Sequence, residues 1–272
     1  MKLATWNVNS LRARMGWVEE WLRTRQPDVL AMQETKLADE DFPTKRFADL
    51  GYESAHHGNG RWNGVAILSR VGIDDVRPGF HDGPGAPEEC RILGAKCAGM
   101  QVFSVYVPNG RSIDSEHYGA KLDWMSRLRV ELVDSCTPTS DLAVCGDFNV
   151  APADLDVWDI TQFEGMTHVT VSERAALAEL LDWGLVDALR AVHPEGPGPF
   201  SWWDYRAGAF HKGWGMRIDL ALVSRSLASH LRDVWIDREA RKAFGPNKPS
   251  DHAPVIVELD LESSPESPPA PS

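Results

Sequence analysis

The sequence lacks several features that would place it in common classes of protein. No apolar run approaches the roughly 18 residues that a membrane-spanning helix needs. The start MKLATWNVNS turns polar within five residues, so no signal peptide is expected. None of the four cysteines forms a CxxC pair, which favours reduced, buried thiols over a secreted disulfide scaffold. These absences predict a cytoplasmic protein.

Positive charge is also scarce. The chain has 28 lysines and arginines against 40 aspartates and glutamates, for a net charge of −12. A protein that coats nucleic acid passively would usually be basic, so this class is disfavoured. An enzyme that meets phosphates through a metal remains open, because carboxylates themselves build metal sites. Any basic contact surface must then be local.

The chain does contain a mixture of strand and helix patterns. Apolar, β-leaning runs occur at KLATW, DVLAMQE, GVAILSR, RILGAKC, QVFSVYVP, DLAVCGDFN, RIDLALVS and HAPVIVELDL. Helical patterns follow Asn9 or Ser10, cover about 116–134, and occupy SERAALAELLDWG, with Ser172 as predicted cap and Gly184 as predicted stop. Because strands and helices do not alternate strictly, we predict an α/β fold that is not simply doubly wound.

The composition predicts one domain followed by a tail. No linker divides residues 1–261, so they are expected to form a single domain. Residues 262–272 are rich in proline, serine and glutamate and too polar to pack. We therefore expect them to form a disordered tail.

Polar residues gather where the predicted strands end. They are Asn7, Glu34, Tyr106, Asn109, Asp147, Asn149, Asp219, Asp251 and His252. Because the ends of adjacent strands form one rim, residues far apart in the sequence can share a pocket there. Each residue alone has an ordinary explanation, such as a turn, a cap or a solvated charge. Their joint occurrence at five strand ends predicts a functional site.

The acids of this group suit hydrolysis of a phosphodiester. Glu34 and Asp251 are suitable oxygen ligands for Mg²⁺, and Asn7 can add a neutral carbonyl. Asp147 is not consumed by the metal in this scheme, so it can orient or deprotonate the attacking water.

The remaining polar residues suit stabilisation of the phosphate. Asn149 can donate its amide hydrogens to a phosphate oxygen as charge builds in the transition state. An Asp219–His252 couple would hold a protonated imidazole toward the same oxygen. Tyr106 can donate a further hydrogen bond. The sequence therefore predicts both the groups that activate water and the groups that stabilise the phosphate in a phosphoester hydrolase.

Six ordered segments resemble the motif series of exonuclease III-type enzymes, of the endonuclease/exonuclease/phosphatase superfamily that includes the AP endonucleases. The segments are TWNVNSLRAR, LAMQETK, YVPNGR, CGDFNVAPADLD, MRIDLALVS and KPSDHAPV, and they span nearly the whole chain. The resemblance implies a DNase I-like, four-layer α/β sandwich of two mixed β-sheets packed face to face and flanked by helices. It also implies Mg²⁺-dependent hydrolysis at DNA 3′ ends, as 3′→5′ exonuclease or 3′-phosphatase, with incision 5′ to abasic sites as a further activity.

The resemblance assigns roles residue by residue. Glu34 would be the principal ligand of Mg²⁺, with Mn²⁺ as an alternative, and Asn7 and Asp251 would lie nearby. Asp147, held by Asn7, would activate the water. The residues expected at the scissile phosphate are Tyr106, Asn109, Asn149 and His252, with Asp219 paired to His252. Other expected DNA contacts are Trp202, Met216, Ile218, Arg12, Arg61, Arg111, Lys121, Arg206 and Lys212. One of Trp202 and Trp203 is expected to pack in the core.

His168 departs from the family pattern. Anchored on the Glu-Arg of GMTHVTVSER, it falls where AP endonucleases of the family carry glycine or serine. A histidine there can fill the space that an extruded abasic sugar needs. This predicts weak abasic incision relative to removal of a 3′-phosphate. The alternative is that His168 faces solvent or caps a structural element and alters nothing.

Two other hypotheses stay open. The chain can be another hydrolase of the superfamily, such as a DNase I-like nuclease or a phosphatase of inositol phosphates or lipids. It can also be a non-catalytic RNA-binding regulator on the same fold, although such proteins lose catalytic residues that this chain retains. The favoured partner is duplex DNA with 3′ ends or abasic sites, bound by a monomer, with nucleoid association if the source is bacterial.

Overall fold

Two β-sheets and their flanking helices make up the computed structural model, which describes residues 1–81, 89–242, 245 and 248–261. The strands are β1 (Lys2–Asn7), β2 (Val29–Gln33), β3 (Glu53–His57), β4 (Val65–Ser69), β5 (Asp74–Pro78), β6 (Ile92–Cys97), β7 (Met100–Tyr106), β8 (Leu142–Asp147), β9 (Leu185–Asp187), β10 (Trp202–Trp203), β11 (Gly215–Met216), β12 (Asp219–Ser224), β13 (Leu231–Ile236) and β14 (Val255–Leu259). The α-helices are α1 (Leu11–Arg25), α2 (Thr44–Ala48), α3 (Glu116–Ser135), α4 (Val171–Trp183), α5 (Ala188–Val192), α6 (Ala209–Lys212) and α7 (Arg225–Ala228). Short 3₁₀ turns cover Asp39–Asp41, Asp154–Asp156, Ile160–Phe163 and Arg238–Arg241.

Both sheets are mixed. The first has the order β13-β14-β1-β2-β4-β3, with β1 and β2 parallel, and the second has the order β5-β6-β7-β8-β12-β9, with β7 and β8 parallel. Strands β10 and β11 form a separate antiparallel ribbon. Because each parallel pair ends on the same edge of its sheet, the residues that follow β1, β2, β7 and β8 can meet at one end of the molecule.

Apolar side chains fill three layers. Leu3 and Val29 of the first sheet pack against Val102 and Cys145 of the second, so the sheets lie face to face. Trp6 belongs to a second cluster, between the first sheet and α1. A third cluster lies between the second sheet and helices α3 and α4. Burial on both faces explains the continuous apolar runs, and the predicted four-layer α/β sandwich is confirmed.

Helix α4 shows where local prediction was wrong. Its N-cap is Thr170 rather than the predicted Ser172, because Thr170 accepts from the Glu173 backbone N–H. The Glu173 side chain in turn accepts from the Thr170 backbone, which completes a capping box. Gly184 does end the helix, at φ +136°, a conformation that favours glycine.

The strands that the sequence did not predict include all four at the edges of the two large sheets. These are β3, β5, β9 and β13, and every residue of β5 is exposed. Edge strands bury few side chains, so they carry little of the apolar pattern that marks a strand. None of the four cysteines forms a disulfide, as expected. No helix in the described part of the chain has the length and apolar content needed to cross a membrane. The tail predicted at 262–272 lies outside the described residues.

A buried ion network fixes the loop after β8. Arg217, which is 1% exposed, donates from Nε to Asp156 Oδ1 at 2.7 Å and from Nη2 to Asp156 Oδ2 at 3.0 Å. Arg190 donates to the same carboxylate, and Arg217 also donates to Asp187 at 3.0 Å. Asp156 therefore links the segment that follows β8 to the residues just before β12.

This network predicts a large difference between two neighbouring acids. Asp156→Ala leaves the Arg217 guanidinium buried without its main partner, so we expect it to lower the free energy of unfolding by about 3–5 kcal/mol. Asp154→Ala is the matched control, because Asp154 pairs with Arg174 at an exposed position and should cost about 0–1 kcal/mol. Urea unfolding measures both values. Equal losses for the two variants would contradict the assignment.

Candidate active site

The predicted polar residues do converge at one end of the sandwich. Asn7 ends β1, Glu34 follows β2 and Asp147 ends β8. In register, Asp147 lies opposite Asp219 of β12 on one side and opposite Tyr106 of β7 on the other. The parallel ends of two facing sheets thus place acids from distant parts of the chain side by side.

Asn7 connects the two sheets. Its Nδ2 donates to Glu34 Oε1 at 2.8 Å and to Asp147 Oδ2 at 3.0 Å. Its Oδ1, the atom predicted to face a metal, accepts the Asn9 backbone N–H at 3.0 Å. In this orientation Asn7 is fully buried and acts as a bridge between two carboxylates.

Asp147 is a buried carboxylate held on both oxygens. Oδ1 accepts the Asn149 backbone N–H at 2.9 Å, and Oδ2 accepts from Asn7. Burial raises the pKa of Asp147 to about 7, against the lowering effect of His252, and the charges of Asp219 and Glu34 raise it further. A carboxyl group with a pKa near neutrality is well matched to accepting and releasing protons.

His252 pairs with Asp219 as predicted. Its Nδ1 lies 2.8 Å from Asp219 Oδ2, and its Nε2 lies 3.8 Å from Asp147 Oδ2. Burial alone would lower the pKa of His252, but the carboxylates of Asp219 and Asp147 raise it to about 10. The imidazole is therefore a fixed positive charge at neutral pH. Ser201 Oγ, which sequence reasoning missed, accepts the Asp219 backbone N–H at 3.0 Å.

A second set of contacts surrounds Glu34 and Asp251. Lys36 Nζ lies 2.8 Å from Glu34 Oε2 and 2.7 Å from Asn9 Oδ1. Asn9 Nδ2 donates to Asp251 Oδ1 at 2.8 Å, and Trp202 Nε1 donates to Asp251 Oδ2 at 3.2 Å. Burial raises the pKa of Glu34, but Lys36 and Asn7 more than offset it and bring it below the usual value. Lys36 and Asn9 were not predicted, although both lie inside the segments TWNVNS and LAMQETK.

The donor set fits a divalent cation with oxygen ligands. Ligand atoms of Glu34, Asp147 and His252 lie within 4.8 Å of one another. Among the described residues, the four carboxylates of Glu34, Asp147, Asp219 and Asp251 form salt bridges with two cations, Lys36 and His252. A surplus of negative charge on oxygen atoms suits Mg²⁺ or Mn²⁺ rather than a soft metal.

Asn149 lies at the centre of a second polar cluster. Its Nδ2 donates to the Val107 carbonyl at 2.9 Å, which leaves one amide hydrogen for another acceptor. Its Oδ1 lies 3.1 Å from both Asn109 Nδ2 and His168 Nε2. Tyr106 lies on the neighbouring strand, where burial and the charges of Glu34 and Asp147 raise the pKa of its hydroxyl. Asn109, Asn149 and His168 are thus one group.

His168 does not simply face solvent. It is half-buried at φ +81°, its backbone N–H donates to Glu173 Oε1 at 2.9 Å, and its Nδ1 lies 2.7 Å from Thr167 Oγ1. Burial and the neighbouring Lys121 ammonium lower the pKa of His168 to about 4, so its ring is neutral at neutral pH. The imidazole therefore occupies space beside the contact between Asn109 and Asn149.

The predicted apolar contacts to DNA differ in how much of each side chain is exposed. Trp202 is half-buried and pairs with Met216 across the β10–β11 ribbon. Met216 and Ile218 are only 4% and 2% exposed, so they support Trp202 from beneath and present little surface of their own. Trp203 is 2% exposed, which confirms that one of the two tryptophans packs in the core.

The prediction that Lys121 is a surface cation that contacts DNA was wrong. Lys121 is fully buried, forms an ion pair with Glu173 and donates from Nζ to the Asn149 carbonyl at 2.6 Å. The lysine therefore supports the Asn149 backbone from inside the protein and does not contact solvent. Arg111 is exposed next to Asn109, whose Oδ1 accepts its backbone N–H at 3.1 Å. Arg12 and Arg206 are exposed but paired with acids, Asp41 and Asp204.

An α/β sandwich with this group of acids at one end of both sheets defines a class of metal-dependent hydrolases. The chain belongs to the Endonuclease/Exonuclease/phosphatase family, whose model matches residues 4–252. The resemblance carried by the six sequence segments is thereby confirmed.

Relatives refine the placement within the family. The chain is 35% identical to exodeoxyribonuclease III of Haemophilus influenzae over 95% of this chain and 100% of the relative. Among solved structures it is similar to an AP endonuclease from Archaeoglobus fulgidus, with 38% identity and a TM-score of 0.91, over 96% of this chain and 100% of that one. It is also similar to a 3′-5′ exonuclease (NExo) from Neisseria meningitidis, with 40% identity and a TM-score of 0.91 over the same shares of the two chains.

The two site histidines should differ in charge. Because the pKa is about 10 for His252 and about 4 for His168, we expect neither ring to titrate between about pH 5 and 8, with His252 doubly protonated and His168 neutral. Nitrogen chemical shifts of the metal-free protein measure this directly. Asp219→Asn should bring the His252 titration down into that range, while His168 stays unchanged. A neutral His252 in the unaltered protein at neutral pH would refute the assigned couple.

Proposed function

We propose that this chain is a Mg²⁺-dependent hydrolase of exonuclease III type that acts at the 3′ ends of duplex DNA. It removes 3′-phosphates and 3′-terminal nucleotides, and incises 5′ to abasic sites only weakly. The observation that carries the proposal is the buried Asp147 between the Asn7 amide and the Asp219–His252 couple. Relatives named exodeoxyribonuclease and 3′ phosphatase support the substrate class.

Asp147 and the two groups that hydrogen-bond to it are the residues proposed to activate water. Asp147 accepts the proton of the attacking water, because its pKa of about 7 lies near the working pH. The Asn7 amide and the Asn149 backbone N–H fix the direction of the carboxylate by binding one oxygen each. Asp147 is therefore a general base held in one orientation before substrate arrives.

The opposite side of the site receives the charge that builds on the phosphate. The His252 imidazolium, kept charged by Asp219, presents Nε2 toward the space next to Asp147. One free hydrogen of the Asn149 amide is a further donor on the same rim, and the neutral Tyr106 hydroxyl, which hydrogen-bonds to Glu34, is proposed to turn to the phosphate when substrate binds. These groups stabilise a phosphate oxygen more strongly as its negative charge increases.

Glu34 and Asp251 are the residues proposed to hold Mg²⁺, with the Asn7 side chain as their neighbour. When bound, the ion neutralises phosphate oxygens and favours deprotonation of water. The Glu34 carboxylate stays ionised because of Lys36 and Asn7, which is the form that binds a cation. We propose that a monomer acts in this way on cytoplasmic DNA.

His168 sets the proposed preference for 3′ ends. Its ring lies 3.1 Å from the amides of both Asn109 and Asn149, at the edge of the phosphate side of the site. An abasic nucleotide inside a strand must be turned out of the duplex and needs room there. A 3′-phosphate at a strand end needs less room, so the histidine excludes the first substrate more than the second.

Replacing the proposed base tests the chemistry. Asp147→Asn should lower kcat on a 3′-phosphate duplex by about 10²–10⁴-fold, because the amide accepts no proton. Asp141→Asn is the matched control: Asp141 is exposed next to the other end of β8 and should leave kcat unchanged. Rate measurements with and without a chelator complete the test, since chelation should abolish turnover. Undiminished turnover in Asp147→Asn would contradict the proposal.

Replacing the proposed selector tests the substrate preference. His168→Gly should increase incision at an internal abasic site relative to 3′-phosphate removal, since it opens space at a φ of +81° that glycine adopts without strain. Both reactions are measured side by side on matched duplexes. The unaltered protein should favour the 3′-phosphate. If it cuts both substrates equally fast, or if His168→Gly leaves their ratio unchanged, the role of His168 is wrong.

A further inference from the structure

A second cavity lies behind the ribbon that carries Trp202. It has a volume of about 350 Å³, and its walls include Tyr205, Phe210, Arg241, Lys248 and Pro249. The Tyr205 hydroxyl donates to the Pro249 carbonyl at 2.6 Å, which fixes the ring against one wall. We call this cavity the Tyr205 pocket. None of the roles assigned above uses it.

Arg241 and Lys248, which form no salt bridge in the described part of the chain, line the Tyr205 pocket, whose wall also includes Asp204, paired with Arg206. Arg241 is 7% exposed, and its Nε has no hydrogen-bond partner. Its Nη2 reaches only the Trp203 carbonyl, at 3.3 Å, and among the described residues no carboxylate forms a salt bridge with it. Lys248 Nζ lies 3.5 Å from the centre of the Tyr205 ring. Burial lowers the pKa of Arg241, and the charge of Asp251, which forms no salt bridge with it, offsets this only in part.

A third cation connects the Tyr205 pocket to the reaction centre. Arg14 donates from Nη2 to the Tyr205 hydroxyl at 3.0 Å and from Nη1 to the carbonyl of Asn9, whose side chain binds Asp251. Pro249 is two residues from Asp251, a chain distance of at most about 7 Å. Successive phosphates along one DNA strand rise by about 3.4 Å. The pocket thus lies within the reach of a neighbouring nucleotide.

We propose that the Tyr205 pocket binds a phosphate group of the DNA strand other than the one that is hydrolysed. Exposed Lys248 supplies the charge at the mouth, and the Arg241 guanidinium on the Tyr205 ring adds a second positive charge behind it. The Tyr205 and Phe210 rings pack against the attached sugar. This inference rests on the proposed function, because it names a second contact with the same substrate and sets the register of the strand.

Salt dependence of DNA binding tests the proposal. Lys248→Gln and Arg241→Met are made in the Asp147→Asn background, so that a 3′-phosphate duplex binds without turnover. Each phosphate contact contributes about 0.9 to the slope of log affinity against log salt concentration. We expect each variant to flatten the slope by about that amount. Arg232→Gln, an exposed cation on β13, is the matched control and should leave the slope unchanged. Because Lys248 is exposed, its replacement tests the pocket even if Arg241→Met does not fold.

A titration with inorganic phosphate distinguishes DNA from a free anion as the occupant of the Tyr205 pocket. The phosphate is titrated against the DNA-free protein while the Arg241 Nε–H resonance is followed. A saturable shift of that resonance, with an unchanged salt slope in Lys248→Gln, would identify a site for free phosphate and overturn the proposal. An unchanged slope with no shift would overturn it as well. Turnover of the active protein is measured separately. If the variants flatten the salt slope but the active protein shows no turnover, the proposed function is rejected and the phosphate-binding pocket is retained. If the active protein turns over but the slopes are unchanged, the pocket is rejected and the proposed function is retained.

Discussion

The site depends on one side chain that holds two sheets together at their reactive end. Asn7 belongs to the first sheet, and its amide nitrogen binds Asp147 of the second sheet at 3.0 Å and Glu34 at 2.8 Å. Most packing between the sheets is apolar and non-directional, and the hydrogen bonds that join Ser104 to Gln33 and Met32 do not involve the two carboxylates. The buried amide fixes the two carboxylates relative to each other, because each of its hydrogens binds a different acid. The distance between Asp147, the proposed base, and Glu34, the proposed metal ligand, is thereby fixed.

The loops around this bridge adopt conformations that L-residues usually avoid. Glu34, Asn149 and His168 have φ values of +52°, +50° and +81°. Each costs of order 1–3 kcal/mol and persists because the surrounding contacts hold it. Lys36 and Asn7 hold Glu34, while Lys121 holds the Asn149 carbonyl. The buried Lys121–Glu173 pair therefore holds the backbone of Asn149 and His168, on the phosphate side of the site, from inside the protein.

The sequence was informative where acidic or amide residues stand at the end of a buried strand. Strand ends marked by Asp147 and Asp219 were predictable, since a buried strand that ends in acids has few structural reasons to do so. Lys121 was not, because a lysine in a helical pattern predicts a solvated charge, and only the fold reveals that Glu173 lies opposite it. Edge strands such as β5 were missed for the related reason that their pairing is decided by neighbours distant in the chain.

An acidic chain can still recognise phosphate because its cations are not equivalent. Arg12, Arg206 and Arg25 each lie beside an acid, so much of their charge is neutralised. Arg14 and Arg241 have no such partner among the described residues, and both lie on the path from Asp251 to Tyr205. A charged substrate experiences the local field more than the distant sum, because salt screens charges beyond about 10 Å. We therefore expect the few cations without a salt bridge, rather than the net charge, to orient a phosphate-bearing substrate.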